Sequence, residues 1–187
     1  MTAISSAELL NFLPEIELIG DQALKDGVVY TWQLAFKDTL WQRLDDVPFA
    51  SGATPGISLI QHTRAVVQAA IQLAEIMAAT HGIKVELDKV VAGAVLHDVS
   101  KIVEYEAPDG RQASVIGKRF PHGFYGAVFA IQAGLPDEIA HLIVSHTHTS
   151  PVAPQTMEGI IIRDADYAVA NIALGGKLEA LLSGHHK

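Results

Sequence analysis

The stretch "AGAVLHDVSK", Ala92 to Lys101, passes from small apolar residues to an adjacent imidazole and carboxylate, His97 and Asp98, with Lys101 one turn on. A His-Asp dipeptide alone is ordinary, because a core histidine often pairs with a neighbouring acid. Its company gives it meaning. His62, His122, His146 and Asp166 fall on inward faces or at the ends of separate predicted helices, where apolar side chains would pack better. Burying that many imidazoles and carboxylates without partners costs on the order of a few kcal/mol each. A shared divalent ion removes the cost, since neutral imidazole and carboxylate both bind such ions. Helix bundles build metal sites this way, from side chains on facing helices. The chain has no cysteine, which excludes thiolate ligands, disulfides and a cysteine nucleophile.

The elements that must hold these residues read as helices. Ser6 is placed to cap a short helix, "AELLNFL", ended near Pro14. A longer helix is predicted over Asp21 to Asp46, with apolar positions at Val28, Trp32, Leu34, Leu40, Trp41 and Leu44, and with Gly27 as a break or kink. Pro48 to Gly56 is rich in turn formers and reads as a loop. The cleanest helix runs between a Ser58 cap and a Gly82 stop, with Leu59, His62, Val66, Ala69, Leu73, Ile76 and Met77 at helical spacing. His62 therefore belongs to its inward stripe. Asp88 opens the next predicted helix, which carries His97 and Asp98. Adjacent residues on a helix point about 100° apart, so both reach one centre only from close range. Ala92, Gly93 and Ala94 are small enough to permit that approach.

Beyond Glu106 a loop is expected, with a small hairpin turning at Asp109-Gly110. "HGFYGAVFAIQAG" and "PDEIAHLIVSHTH" read as two helices divided at Gly134 and Pro136. "TMEGIIIRDADYAVANIAL" reads as a last long helix ended by Gly175-Gly176, with a short helix before the tail. The expectation is one all-α domain over 1–187, of six to eight helices. Its core spans about 58–175, and residues 1–57 form an N-terminal helical extension.

Composition agrees. Of 187 residues, 49% are hydrophobic and only 6% aromatic, which suits packed helices better than a β-sandwich. The formal net charge is −8 and no Lys/Arg cluster is present, so nucleic acid is disfavoured as a partner. A small anionic substrate remains compatible, because a metal supplies local positive charge. The N-terminal "MTAISSAELLNFLPEIEL" has no early Lys or Arg and carries Glu8, unlike a signal peptide. No segment reaches the ~18 uninterrupted apolar residues of a membrane helix. The expectation is a cytoplasmic protein without a membrane partner. The alanine-rich helices would pack equally well within or between subunits, so a homo-oligomer is allowed.

In this order, His62 … His97-Asp98 … His122 … His146 … Asp166, the chain resembles the HD-domain superfamily of metal-dependent phosphohydrolases. The words "LIQHTRAVVQAAIQLA", "AGAVLHDVSK", "HGFYGAVFAIQAGLPDEIAHLIVSHT" and "IIRDADYA" carry the resemblance, over about Leu59 to Asn171. His122 and His146 are similar to positions of the two-metal branch, which includes the symmetrical diadenosine-tetraphosphate hydrolases. The resemblance implies an HD-domain helical bundle holding two divalent ions, iron or manganese first, with zinc, cobalt or nickel also able to bind. It implies a first ion on His62, His97, Asp98 and Asp166, and a second on Asp98, His122 and His146.

The implied catalytic residues are Asp98, Lys101 as a phosphate-binding or outer-shell cation, and His148 as a proton donor to the leaving group. The implied substrate is a small anionic phosphoester or nucleotide. Two rival pairs stand in the sequence: Asp164 with Asp166, and His148 with His146. The family words favour Asp166 and His146. Ser100 departs from the glycine that many relatives carry there. The donor set is shared with a branch that uses mixed-valence di-iron to activate oxygen, which stands as the alternative to hydrolysis; a non-catalytic regulatory module is a second alternative, against which the complete ligand set argues. Arg64, two after His62, is placed either to reach substrate or to form an exposed salt bridge; Lys118, Arg119, His81 and His141 read as ordinary surface or structural residues, and Trp32 and Trp41 as core.

Overall fold

The computed structural model describes residues 4–37, 39–50, 56–147 and 150–174. Among them no β-strand forms; two isolated antiparallel bridges, Pro48 with Ser58 and Tyr105 with Ala113, are the only pairings of that kind. The expected all-α bundle is what the chain adopts. Its helices are α1 (Ser6–Phe12), α2 (Gln22–Phe36), α3 (Leu59–His81), α4 (Leu87–Leu96), α5 (Lys101–Glu104), α6 (Val115–Arg119), α7 (His122–Gln132), α8 (Asp137–Ser145) and α9 (Met157–Ala173). The helix expected after Gly175-Gly176 lies outside the described residues.

α3 is the frame. The Ser58 side chain accepts from the Gln61 backbone N–H while Gln61 reaches back to the Ser58 backbone, a complete capping box. At the other end Gly82 takes a left-handed φ of 68°, the conformation that closes a helix at least cost in a residue without a Cβ. Between the two, Leu59, His62, Thr63, Val66, Val67, Ala70 and Ala74 face inward, and α4 and α9 pack along that face. Ile76, expected on the stripe, is exposed. α7 and α8 form an antiparallel pair joined at Gly134, as expected, and α8 also touches α4 and α9. Gly93 makes the contact tight: a Cβ there would meet Ile162 Cδ1 at 2.6 Å and Leu142 Cδ1 at 2.9 Å.

Other expectations are corrected as well. The α1 cap is Ser5, whose side chain accepts from Glu8 N–H, not Ser6. α2 stops at Phe36 rather than running to Asp46. Trp41 lies nine positions after Trp32, about 180° around a continued helix, so one of the two would face solvent. Leaving the helix buries both, and the Trp41 indole N–H then donates to the Ile102 carbonyl at 3.0 Å. Leu40, in the same segment, stays exposed. Gly27 does not break α2, which runs unbroken through it; it makes room for the Leu135 side chain. Finally, the loop after Glu106 does turn at Asp109-Gly110, but it continues into α6, five residues too short to show periodicity.

The N-terminal segment joins the same apolar core. One continuous buried cluster includes Ile4, Leu9, Trp32 and Trp41 as well as Val66, Leu96, Ile143 and Ile162. Asp88, in the first turn of α4 rather than at its cap, accepts from the backbone N–H of Gly20 (3.1 Å) and Asp21 (2.8 Å). It thereby fixes where α2 begins. Among the described residues no helix is long and apolar enough to cross a membrane.

Candidate metal centre

Five elements converge on one buried point. α3 contributes His62 and α9 contributes Asp166. α7 contributes its first residue, His122, and His146 caps the C-terminus of α8. His97 and Asp98 follow α4 rather than lying within it. α4 ends at Leu96, and the chain stays right-handed through a tight turn with Val99 N–H on Leu96 O (3.1 Å) and Lys101 N–H on Asp98 O (2.9 Å). Such i→i+3 bonding winds about three residues per turn, so His97 and Asp98 splay more widely than on an α-helix while sharing one centre.

Asp98 is the pivot. Its Oδ2 lies 3.3 Å from His97 Nε2 and 3.5 Å from His62 Nε2; its Oδ1 lies 3.3 Å from His122 Nε2 and 3.6 Å from His146 Nε2. Each oxygen thus serves one pair of imidazoles. Within the pairs the ring nitrogens also approach: His62 and His97 at 3.4 Å, His122 and His146 at 3.2 Å. Asp166 Oδ1 completes the first group, 3.0 Å from His62 Nε2 and 3.7 Å from His97 Nε2. Its rival Asp164 is exposed and pairs with Arg163 at 2.9 Å.

The ring orientations are set from outside the centre. His97 Nδ1 is 2.7 Å from the Ala94 carbonyl, and His146 Nδ1 is 2.6 Å from the Ile143 carbonyl. A carbonyl only accepts, so both Nδ1 atoms carry the proton and both Nε2 atoms turn to the centre. This is the arrangement metal-ligating histidines adopt. Phe49 stacks on the His62 ring, centroids 4.4 Å apart. Phe49 was not singled out from the sequence, and a phenylalanine in a loop gives no signal of its own.

The donor set fits divalent ions. Asp98 Oδ1 is buried without a hydrogen-bond partner, and it faces the Nε2 atoms of His122 and His146. A cation satisfies all three at once. Two such groups are present among the described residues, His62 with His97 and Asp98, and Asp98 with His122 and His146. Nitrogen and carboxylate oxygen without sulfur suit iron, manganese, zinc, cobalt or nickel.

The electrostatics are those of a site organised around negative charge. Burial works to raise the Asp98 pKa, yet the Lys101 and His97 charges outweigh it and hold the carboxyl well below its ordinary range. Asp166 is likewise lowered: burial opposes ionisation, and the His62 hydrogen bond and His97 charge prevail. Burial disfavours a charged His97, but Asp98 and Asp166 push its pKa up to about 9. His122 goes the other way, down to about 3, because burial exceeds the pull of Asp98.

Lys101 is buried at the edge of the centre. Its ammonium lies 3.8 Å from Asp98 Oδ2 and 3.9 Å from Glu104 Oε2. Burial lowers its pKa, and Asp98, Tyr105 and Glu104 more than restore it, so it stays charged. His148 lies outside the described residues. Lys118 and Arg119 are exposed, as expected. Of the two readings of Arg64 the structure shows the salt bridge: its Nε–H donates to the buried Glu15 carboxylate at 2.8 Å.

The fold and the site together define an all-α protein with a buried His/Asp centre for divalent metal. The HD domain family model matches residues 59–171, and the chain belongs to that family. It is also similar to dihydroneopterin 2',3'-cyclic phosphate phosphodiesterase from Methanocaldococcus jannaschii, 29% identical over 116 residues. That match covers 61% of this chain and 47% of the relative, so the chain spans about half the length of the curated relative it matches. No solved structure matches significantly.

Proposed function

We propose that this chain is a metal-dependent phosphohydrolase acting on a small anionic phosphoester through a dinuclear His/Asp centre. The observation that carries the reading is the Asp98 carboxylate, one oxygen toward His62 and His97 and the other toward His122 and His146. On this reading His62, His97, Asp98 and Asp166 hold one ion, and Asp98, His122 and His146 hold the other. Two ions in such a site supply a water of lowered pKa and polarise a phosphoryl oxygen.

The protein's own groups have separate roles. Asp98 and Asp166 bring the negative charge that retains cations. The Nδ1–H bonds of His97 and His146 to backbone carbonyls hold each Nε2 on target. Lys101, charged and buried, is the group to take a non-bridging phosphoryl oxygen and stabilise charge developing on it. His148 is the proposed proton donor to the leaving group. Residues 1–57 are read into the same domain, since Trp41 bonds to Ile102 and Phe49 stacks on His62.

The relative acts on a cyclic phosphate diester, which supports hydrolysis over oxygen activation and makes small phosphodiesters the first substrates to try. Iron and manganese are the first metals. The test is turnover of a panel of cyclic nucleotides, dinucleoside polyphosphates and monoesters by protein loaded with Mn, Fe, Co or Ni, without oxygen. Anaerobic release of phosphate or nucleotide supports the reading. Silence across the panel, with oxygen-dependent activity of a mixed-valence iron form, would overturn it.

A further inference from the structure

Ser100 stands where the resemblance leads one to expect glycine, and the structure gives its hydroxyl a task. The side chain is buried, and Oγ–H donates to the backbone carbonyl of His122 at 2.5 Å, across 22 residues of chain. His122 is the first residue of α7, and Pro121 before it provides no side-chain cap. Ser100 itself sits in the turn that carries His97 and Asp98, and its carbonyl accepts from Val103 and Glu104 N–H. The hydroxyl therefore links the Asp98 turn directly to the start of the helix that presents His122.

A second feature acts on the same helix. α7 lies close against α8 at two glycines one turn apart. A Cβ on Gly123 would meet the Ile143 carbonyl oxygen at 3.0 Å, and one on Gly126 would meet Ile143 Cγ2 at 2.9 Å and Ser100 Oγ at 3.6 Å. This approach lets His122 and His146 Nε2 come within 3.2 Å. No comparable bond from Ser100 reaches His62, α3, Asp166 or α9 among the described residues; the first group is set instead by the Ala94 carbonyl on His97, by Phe49 on His62, and by Asp166.

We infer that Ser100 is a positioning residue for the second metal site alone: its hydroxyl fixes His122 against Asp98 and His146. The inference rests on the dinuclear reading above. Outer partners of metal ligands typically set affinity by about 10- to 100-fold, so Ser100→Ala is expected to weaken the second ion by that factor and the first by less than about threefold.

The experiment is a calorimetric titration of metal-free full chain with Mn²⁺, for the unsubstituted protein, Ser100→Ala and Gly126→Ala, with His122→Ala to identify which binding event belongs to the second site. Two events in the unsubstituted protein, with only the second weakened in Ser100→Ala, support the inference. Unchanged second-ion affinity in Ser100→Ala overturns it and leaves the dinuclear reading standing. Equal weakening of both ions also overturns it, since the hydroxyl would then serve the fold at large. One ion in the unsubstituted protein overturns the dinuclear reading and the inference with it. Should Ser100→Ala fail to fold, Ser100→Gly, which removes the same hydroxyl, decides on the same terms, and Gly126→Ala reports separately what loosening α7 from Ile143 does to the second ion.

Discussion

His62 and Asp166 meet at 3.0 Å, Nε2 to Oδ1, from helices 104 residues apart in the chain. The contact decides between the two aspartates of "RDAD": Asp166 faces the centre while Asp164 faces solvent with Arg163. Asp166→Asn is expected to weaken the first ion by more than the roughly 100-fold upper end seen for outer partners of metal ligands. Asp164→Asn removes an exposed ion pair and is expected to change folding stability by no more than about 1 kcal/mol, with metal binding intact. Metal titration of the two variants side by side checks this. Equal loss in both would mean the α9 register is misassigned.

Asp98 faces both imidazole pairs and Lys101, so its removal should act on the whole centre. Asp98→Ala is expected to lose both ions. In the metal-free protein it also takes away one of the two carboxylates that face the Lys101 ammonium, leaving Glu104 at 3.9 Å, and removing one partner from a buried charge set typically costs about 3–5 kcal/mol. Adding Lys101→Met is expected to recover part of that loss, because a buried ammonium left with Glu104 alone goes with it. Denaturant unfolding of the single and double variants reads both effects. A double variant no more stable than Asp98→Ala would mean that Glu104 suffices to compensate Lys101.

The site was more legible in the sequence than the elements that carry it. Imidazoles and carboxylates at inward helical positions are costly to bury, and that cost points to the candidates, while the preference for His146 over His148 and for Asp166 over Asp164 comes from the resemblance. α3 was legible because Ser58, Gln61 and Gly82 are local signals. The stop at Phe36 was not, because no Gly or Pro marks it; the reason is tertiary, the burial of Trp41 against Ile102. The tight turn after Leu96 was hidden for the same reason. Ser100 was visible as a departure, but its bond to the His122 carbonyl needed the folded chain.

Proton release should accompany metal binding. In the metal-free protein His97 has a pKa of about 9, raised from 6.5 by Asp98 and Asp166 against burial. A raised pKa means that this proton stabilises the metal-free fold fully below pH 6.5, and that the contribution is lost as pH rises through about 9. A metal ion on His97 must displace the same proton. Affinity for the first ion is therefore expected to rise about tenfold per pH unit toward pH 9 and then level off. His122, held down to about 3, is already neutral and adds nothing there. Calorimetry at pH 7 in buffers of different ionisation enthalpy should show about one proton from His97, fading above pH 9. Buffer-independent heats at pH 7 would contradict the His97 assignment.

The close packing of α4 sets how near His97 and Asp98 come to α9, and Gly93 is where that packing can be tested. A methyl at Gly93 would stand 2.6 Å from Ile162 Cδ1 and 2.9 Å from Leu142 Cδ1, well inside ordinary contact. Both neighbours are buried, so neither side chain can swing into solvent. Gly93→Ala raises local helix propensity by about 1 kcal/mol, while overpacking a filled core costs about 1–3 kcal/mol. The clash is expected to win, giving net destabilisation and a looser first ion as α4 and α9 separate. Ile162→Val removes the nearer clashing carbon, so the Gly93→Ala, Ile162→Val pair should be more stable than the sum of its single effects. A double-mutant cycle on unfolding free energy, with metal titration alongside, measures the coupling. Strict additivity would mean that the helices yield by moving as bodies rather than at Ile162.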